Sequence, residues 1–346
     1  MTAETDTGAP KARKPGNICV FGAGAVGGFM AHGLARAGFE TSVVARGPHL
    51  EAMRASGLGV VRDGEETRAE VTATDNAADL GPQDYLVVAL KASSLPLTAP
   101  DLAPLIGPET TIVTAMNGLP HWYFHGLAEA PVTRIEAVDP GGVVSAALPP
   151  EQSLGCVVYT AAELAGPGLV RVMTGRRFIL GEPGGAITRR ATSFADALRS
   201  AGFDAPLSPC IRDDIWMKLW GNLSFNPLSA LTGETLDMLA RRDDLAAVAR
   251  AMMVEAQAVG EALGVRFGTD VETRLGGAKS VGPHKTSMLQ DLERGKPLEI
   301  DALVTAVTEL GRATGVATPT IDMILALVRA RARTLGLYDV GSCASG

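Results

Sequence analysis

Residues 18–28 read Ile18-Cys19-Val20-Phe21-Gly22-Ala23-Gly24-Ala25-Val26-Gly27-Gly28, an apolar run that passes directly into G-x-G-x-x-G and then into an amphipathic helical pattern. A dinucleotide pyrophosphate needs this order, because it must approach the backbone closely and meet a helix N-terminus whose unbonded N–H groups point at it. Gly22 allows the tight turn, Gly24 leaves out the Cβ that would meet the phosphates, and Gly27 lets the helix pack on its strand. With Ala23, Ala25 and Val26 they make up the candidate pyrophosphate cradle. The helical pattern through Phe29, Met30 and Leu34 stops at Gly38, and Glu40 to Ala45 reads as a second strand, which supplies the β-α-β context the motif requires.

Beyond the second strand, Leu50 to Ala55 fits a short helix, and Leu58 to Arg62 with Glu70 to Ala73 read as strands around an Asp63-Gly64 turn. Tyr85 to Leu90 is a continuous apolar run of the kind buried on both faces of a parallel sheet. Leu97 to Leu105 has helical spacing and Thr111 to Ala115 is the next strand. This alternation predicts an α/β fold with a Rossmann-type doubly wound sheet. From Val132 to Glu182 the pattern changes to short strands, Val157 to Thr160, Leu169 to Met173 and Phe178 to Leu180, expected as antiparallel additions. Past a linker at Pro206 to Pro209, the windows Ile215 to Leu223, Leu245 to Leu263, Leu298 to Leu310 and Ile321 to Leu335 all carry helical apolar spacing. The expected organisation is a disordered leader over 1–16, an NADP-binding Rossmann-like domain over 17–208, a mainly α-helical substrate and catalytic domain over 209–338, and a tail over 339–346.

Composition narrows the classes. A formal charge of −7 disfavours polyanionic partners such as nucleic acid or a membrane surface. Apolar runs are too short to span a bilayer and the N-terminus lacks a signal-peptide pattern, so a cytoplasmic protein is expected. Cys19, Cys156, Cys210 and Cys343 are scattered without C-x-x-C spacing, which argues for packing roles rather than zinc or disulfides. His121 and His125, four apart but without a carboxylate neighbour, are read as packing or substrate contacts, and no metal site is expected.

Several polar residues stand where chemistry would need them. Arg46 ends the second strand, where a NAD-binding protein usually offers a carboxylate to the ribose; a guanidinium instead pairs with a 2′-phosphate, so NADPH/NADP+ is the expected cofactor. Lys91 and Asn117-Gly118 follow two successive strands and so emerge at the carboxyl edge of the sheet. Lys218, Asn222 and Asn226 recur at i, i+4 and i+8, one stripe of a helix otherwise covered by bulky apolar side chains, with Trp216 and Trp220 facing the core. Burying an ammonium and two amides is costly unless a polar ligand satisfies them. Pro227 should kink this helix just after Asn226. Ser287 lies in Ser287-Met288-Leu289-Gln290-Asp291, and Glu299 in Leu298-Glu299-Ile300-Asp301 should occupy a first helical turn, whose dipole favours the ionised carboxylate.

Taken together, these motifs resemble the ketopantoate reductase family, and the resemblance covers nearly the whole chain after Gly16. It implies a Rossmann domain plus a helical domain, with NADPH and a small anionic 2-oxo acid in the cleft between them. It also implies Lys218 as proton donor, Asn117, Asn222, Asn226 and Ser287 as substrate-positioning groups, and Glu299 near the cofactor and the lysine, with the glycine turn, Arg46, Lys91 and Asn117 on the cofactor. Two departures concern substrate shape: the bulky Leu119-Pro120-His121-Trp122-Tyr123-Phe124-His125 segment, and His284 where such enzymes often carry an asparagine. A reductase of a bulkier 2-oxo acid, accommodated by Trp122, Tyr123 and Phe124, is therefore an alternative, and a non-catalytic NADP(H) sensor a second. A homodimer through the helical domain is the expected assembly.

Overall fold

The structure is a computed structural model and describes residues 16–338; the leader expected before Gly16, the tail over 339–346 and Cys343 lie outside the described residues. Nine strands form one sheet in the order β4-β3-β9-β8-β7-β6-β1-β2-β5. They are β1 (Asn17–Phe21), β2 (Glu40–Val44), β3 (Leu58–Arg62), β4 (Glu65–Ala69), β5 (Thr72–Thr74), β6 (Tyr85–Val88), β7 (Thr111–Thr114), β8 (Ser153–Gly166) and β9 (Leu169–Gly181). The run β5-β2-β1-β6-β7-β8 is parallel throughout. Its order reverses between β1 and β6, the switch point beside which ligands of doubly wound sheets bind. The remaining strands extend it: β9 is antiparallel to β8, β3 parallel to β9, and β4 antiparallel to β3.

The helices are α1 (Ala25–Arg36), α2 (Gly47–Ser56), α3 (Leu95–Thr98), α4 (Val143–Ala147), α5 (Arg189–Ser200), α6 (Ile211–Thr232), α7 (Leu236–Arg241), α8 (Asp243–Ala262), α9 (Val271–Ser280), α10 (Ser287–Glu293), α11 (Ala306–Thr314) and α12 (Pro319–Thr334). No helix among the described residues is long and apolar enough to cross a membrane. The chain divides into two compact units. Among the described residues, one comprises residues 16–90, Thr98–Met116 and Ala147–Ile211; the other comprises Lys91–Leu97, Asn117–Ala146 and residues 212–338. Residues 91–97 and 117–146, placed with the first domain in the sequence reading, thus cluster with the C-terminal helices.

Helix α1 is the central element of the sheet unit. It packs on strands from both wings of the sheet, and its Met30, Ala31 and Leu34 are fully buried. A Cβ on Gly27 would sit well inside contact distance of the Gly22 carbonyl oxygen, 2.9 Å from Ala89 Cβ and 3.0 Å from Val20 Cγ1, so only glycine allows helix and strand to approach this far. The surrounding core includes Val113, Phe178, Phe194 and Phe203.

Three local expectations are corrected, and one helix accommodates a proline. Glu70 to Ala73 is not one strand: residues 65–69 form β4, and β5 begins at Thr72. Residues 99–105 wind as a 3-10 helix rather than an α-helix, because Pro100 and Pro104 lack amides for a regular ladder. The three short strands expected between 157 and 180 are two long ones, antiparallel to each other but each parallel to its other neighbour, β8 to β7 and β9 to β3. Their far halves carry exposed polar residues such as Arg171, Arg176 and Arg177 and register shifts that break the alternation. Helix α6 continues through Pro227 to Thr232. The lost backbone bond costs about 3 kcal/mol in an isolated helix, and here the burial of Leu223, Phe225, Leu228 and Ala230 around it offsets that cost.

Replacing Gly27 by alanine is expected to lower the unfolding free energy by about 3 kcal/mol through overpacking, measured by urea denaturation; a loss below about 1 kcal/mol would show that α1 can shift away from β1 without penalty.

Candidate active site

The sheet unit carries the glycine turn at the switch point. Gly22 has φ +99°, a conformation reserved for glycine, and its N–H donates to the Val44 carbonyl at 3.1 Å, tying the ends of β1 and β2. No side chain caps the N-terminus of α1, so the amides of its first turn remain available for an anion. A Cβ on Gly24 would meet nothing within 4 Å, an open space beside the turn. Residues 22–27 therefore fit a pyrophosphate. Arg46 lies at the N-cap of α2 and is exposed, its guanidinium 3.2 Å from Asp101. An exposed pair of this kind is weak, so it leaves the guanidinium able to exchange partners with a phosphate.

The helical unit carries the other polar residues. Lys218, one turn before Asn222 and two before Asn226 on α6, donates from Nζ to Asn117 Oδ1 at 2.6 Å. Asn117 is held in place by its neighbours. Leu119 N–H donates to the Ala302 carbonyl at 3.1 Å. A side chain on Gly118 (φ +88°) would collide with that same carbonyl. Asn226 Nδ2 reaches Ser287 Oγ at 3.4 Å, and Ser287 opens α10 behind a Thr286 side chain that caps Leu289. The Asn222 amide has no protein partner among the described residues, which suits a group that meets substrate.

Glu299 differs from its expected setting. The segment 296–300 is non-helical, and the turn that follows, Asp301–Thr305, is π-helical before α11 begins. Glu299 thus lies ahead of the helix rather than in its first turn. Its Oε1 accepts the Ala92 N–H at 3.0 Å. Burial pushes its carboxyl above the usual carboxylate range, and the neighbouring Asp291 adds to that; the Ala92 N–H, Lys91 and Lys218 pull the other way. The expectation of a carboxylate kept ionised by a helix dipole is corrected accordingly. Lys91 bonds Asp291 at 2.8 Å and the Pro297 carbonyl at 2.9 Å, so residues 91–92 are fastened at three points to the 291–299 segment. Asp291 closes the Ser287-Met288-Leu289-Gln290-Asp291 motif. Nothing in its spacing pointed to Lys91, 200 residues away.

The two largest aromatics of the segment expected to accommodate a bulky substrate are core, while Phe124 is half-buried. Trp122 and Tyr123 are 1 % and 0 % exposed. Trp216 Nε1 donates to the Tyr123 hydroxyl at 2.7 Å, and Arg212 Nε to the Tyr123 carbonyl at 2.7 Å. Trp220, also fully buried, donates to the Met253 carbonyl.

A doubly wound sheet with a dinucleotide turn, joined to a helical unit presenting a lysine, amides and a buried carboxyl, defines a nicotinamide-dependent oxidoreductase. Two family models match the chain: the ketopantoate reductase PanE/ApbA model over residues 18–185 and its C-terminal counterpart over 210–332. A 2-dehydropantoate 2-reductase of Mesorhizobium japonicum is 54 % identical over 325 residues, 93 % of this chain and 99 % of that protein. A Ralstonia solanacearum structure provisionally named a ketopantoate reductase superposes with a TM-score of 0.90 at 45 % identity, over 93 % of this chain and 99 % of that one. At 23 % identity, a D-mandelate dehydrogenase bound to NADH and anilino(oxo)acetate shares the fold, with a TM-score of 0.80 over 93 % of this chain and 100 % of that one. The chain belongs to the ketopantoate reductase family.

Because its carboxyl is raised in the folded state, Glu299 binds its proton more tightly there than in the unfolded chain. Its contribution to stability is complete below the unfolded value of 4.5 and is lost as the pH rises above it. Glu299→Gln, which keeps an acceptor for Ala92, should gain in melting temperature relative to the parent as pH increases from 4.5 towards neutrality. A difference that stays flat across that range would contradict the raised carboxyl.

Proposed function

We propose that the protein catalyses the NADPH-dependent reduction of 2-dehydropantoate to pantoate, with Lys218 as proton donor. The observation that carries this reading is Lys218 held by the Asn117 amide at 2.6 Å on the same stripe as Asn222 and Asn226. The 54 % identical relative is named for this activity. The bound nicotinamide would supply a hydride to the C2 carbonyl carbon, leaving charge on the carbonyl oxygen. Lys218 Nζ stabilises that oxygen and transfers its proton to it. Asn117 aims the ammonium, since an amide oxygen can accept only what the lysine donates. Asn222, Asn226 and Ser287 orient the substrate hydroxyl and carboxylate with neutral groups, so they add no charge to compete with the lysine. Glu299 faces the positive charge of Lys91 and Lys218 and contributes to binding the cofactor. On the sheet unit, residues Gly22 to Gly27 cradle the pyrophosphate, and Arg46, exchanging Asp101 for the 2′-phosphate, sets the preference for NADPH; Lys91 and Asn117 complete the cofactor contacts.

The wild type should oxidise NADPH in the presence of 2-dehydropantoate, and NADH far less efficiently. Lys218→Ala should lose about 10²- to 10⁴-fold in kcat while its NADPH dissociation constant, read by fluorescence, stays within about twofold. Turnover by Lys218→Ala near the wild-type rate would remove the lysine from this role.

We also propose a homodimer through the helical unit, supported by Met323 and Leu327, one turn apart on α12 and 64 % and 51 % exposed. Sedimentation velocity should give twice the chain mass, and Leu327→Glu should return it to the monomer; a monomeric wild type would refute the assembly.

A further inference from the structure

His49 stands at the start of α2, three residues after Arg46, and ties two parts of the sheet unit together. Its Nδ1 faces the Gly168 backbone N–H at 2.8 Å, in the turn joining β8 to β9, and its Nε2 faces the Ala23 carbonyl at 2.6 Å, in the glycine turn. A backbone N–H can only donate and a carbonyl only accept. Nδ1 is therefore the bare nitrogen, and Nε2 carries the proton and donates it to Ala23. The bond has a consequence for the next residue. In a planar trans peptide the carbonyl of Ala23 and the N–H of Gly24 point in opposite directions. Drawing the carbonyl towards His49 turns the Gly24 N–H away from it, and the Gly24 backbone borders the open space where an added Cβ would touch nothing within 4 Å.

We propose that His49 is a positioning residue for cofactor binding: through Ala23 it sets the direction of the Gly24 amide that meets the dinucleotide pyrophosphate, and it couples that turn to the Arg46 loop. The inference rests on the reading that the glycine turn holds NADPH. It involves no contact of the imidazole with the cofactor. The same side chain anchors α2 to the glycine turn, so the residues meeting the two phosphate-bearing parts of NADPH keep a fixed spacing.

Glutamine extends an amide N–H about as far as Nε2, whereas asparagine offers an oxygen about as far as Nδ1. His49→Gln should retain the bond to Ala23 and lose the one to Gly168; His49→Asn should do the reverse. Titration of each purified variant with NADPH, followed by nicotinamide fluorescence, should show affinity lowered about five- to tenfold in His49→Asn and His49→Ala, the effect of one hydrogen bond, and held within about twofold in His49→Gln. In steady state the same two variants should show a raised KM for NADPH with kcat preserved. Equal loss in the Gln and Asn variants would overturn the proposal, because a merely structural tie would suffer alike from either. Gly24→Val separates the two levels. If it abolishes NADPH binding while no His49 variant changes it, the positioning role fails and the turn stands. If Gly24→Val binds as well as wild type, the reading of the turn fails and the role of His49 with it.

Discussion

The contact of α1 with β1 at Gly27 is the constraint on which the sheet unit depends. A helix normally stands off a strand by the width of its side chains, but here a residue without a Cβ removes that width on the face towards Val20. The glycine turn can then be short, and the helix enters close under the switch point of the sheet. Strands from both wings close around α1, which explains why an element with so many small residues, Ala25, Gly27, Gly28, Ala31 and Gly33, is among the most buried in the unit. Size is excluded by proximity, and the same proximity leaves the first-turn amides of the helix directed at the space beside Gly24.

In the helical unit the controlling feature is charge balance. Lys91 and Lys218 are the cations, Asp291 and Glu299 the carboxyls, and the groups around them are amides and hydroxyls. The carboxyl of Glu299 is decided by burial, with Asp291 beside it, against the Ala92 N–H and the two lysines, and burial prevails. The π-helical turn at Asp301–Thr305 contributes through backbone alone: the carbonyl of Ala302 sits where the chain at Gly118 and Leu119 needs an acceptor, and in doing so it places Asn117.

Local spacing made much of this visible in the sequence. The glycine turn follows from three residues whose roles are steric. The alternation of apolar runs and helical windows is strong enough to read β1, β2, β3, β6 and β7 and the long helices α8 and α12 within a few residues. The stripe of Lys218, Asn222 and Asn226 is legible because its neighbours are large and apolar. What spacing does not carry is pairing across long separations. The partners of Lys91 and of Ala92 lie 200 or more residues on, and the π-helical turn has no periodic signature. The helix tolerates Pro227 in its interior because α6 is packed on most sides. Size alone makes Trp122 and Tyr123 look like a substrate wall; their burial, and the hydrogen bonds from Trp216 and Arg212 to Tyr123, reveal a core.

The chain passes between its two compact units five times, after residues 90, 97, 116, 146 and 211. Neither unit is therefore a contiguous cassette. Recombination at a single breakpoint near residue 211 would carry the sheet together with 91–97 and 117–146, segments whose packing partners would come from the other parent. Lys91 and Asn117 ride on those segments, so a chimera would inherit its lysine-orienting amide from one ancestor and the lysine from another.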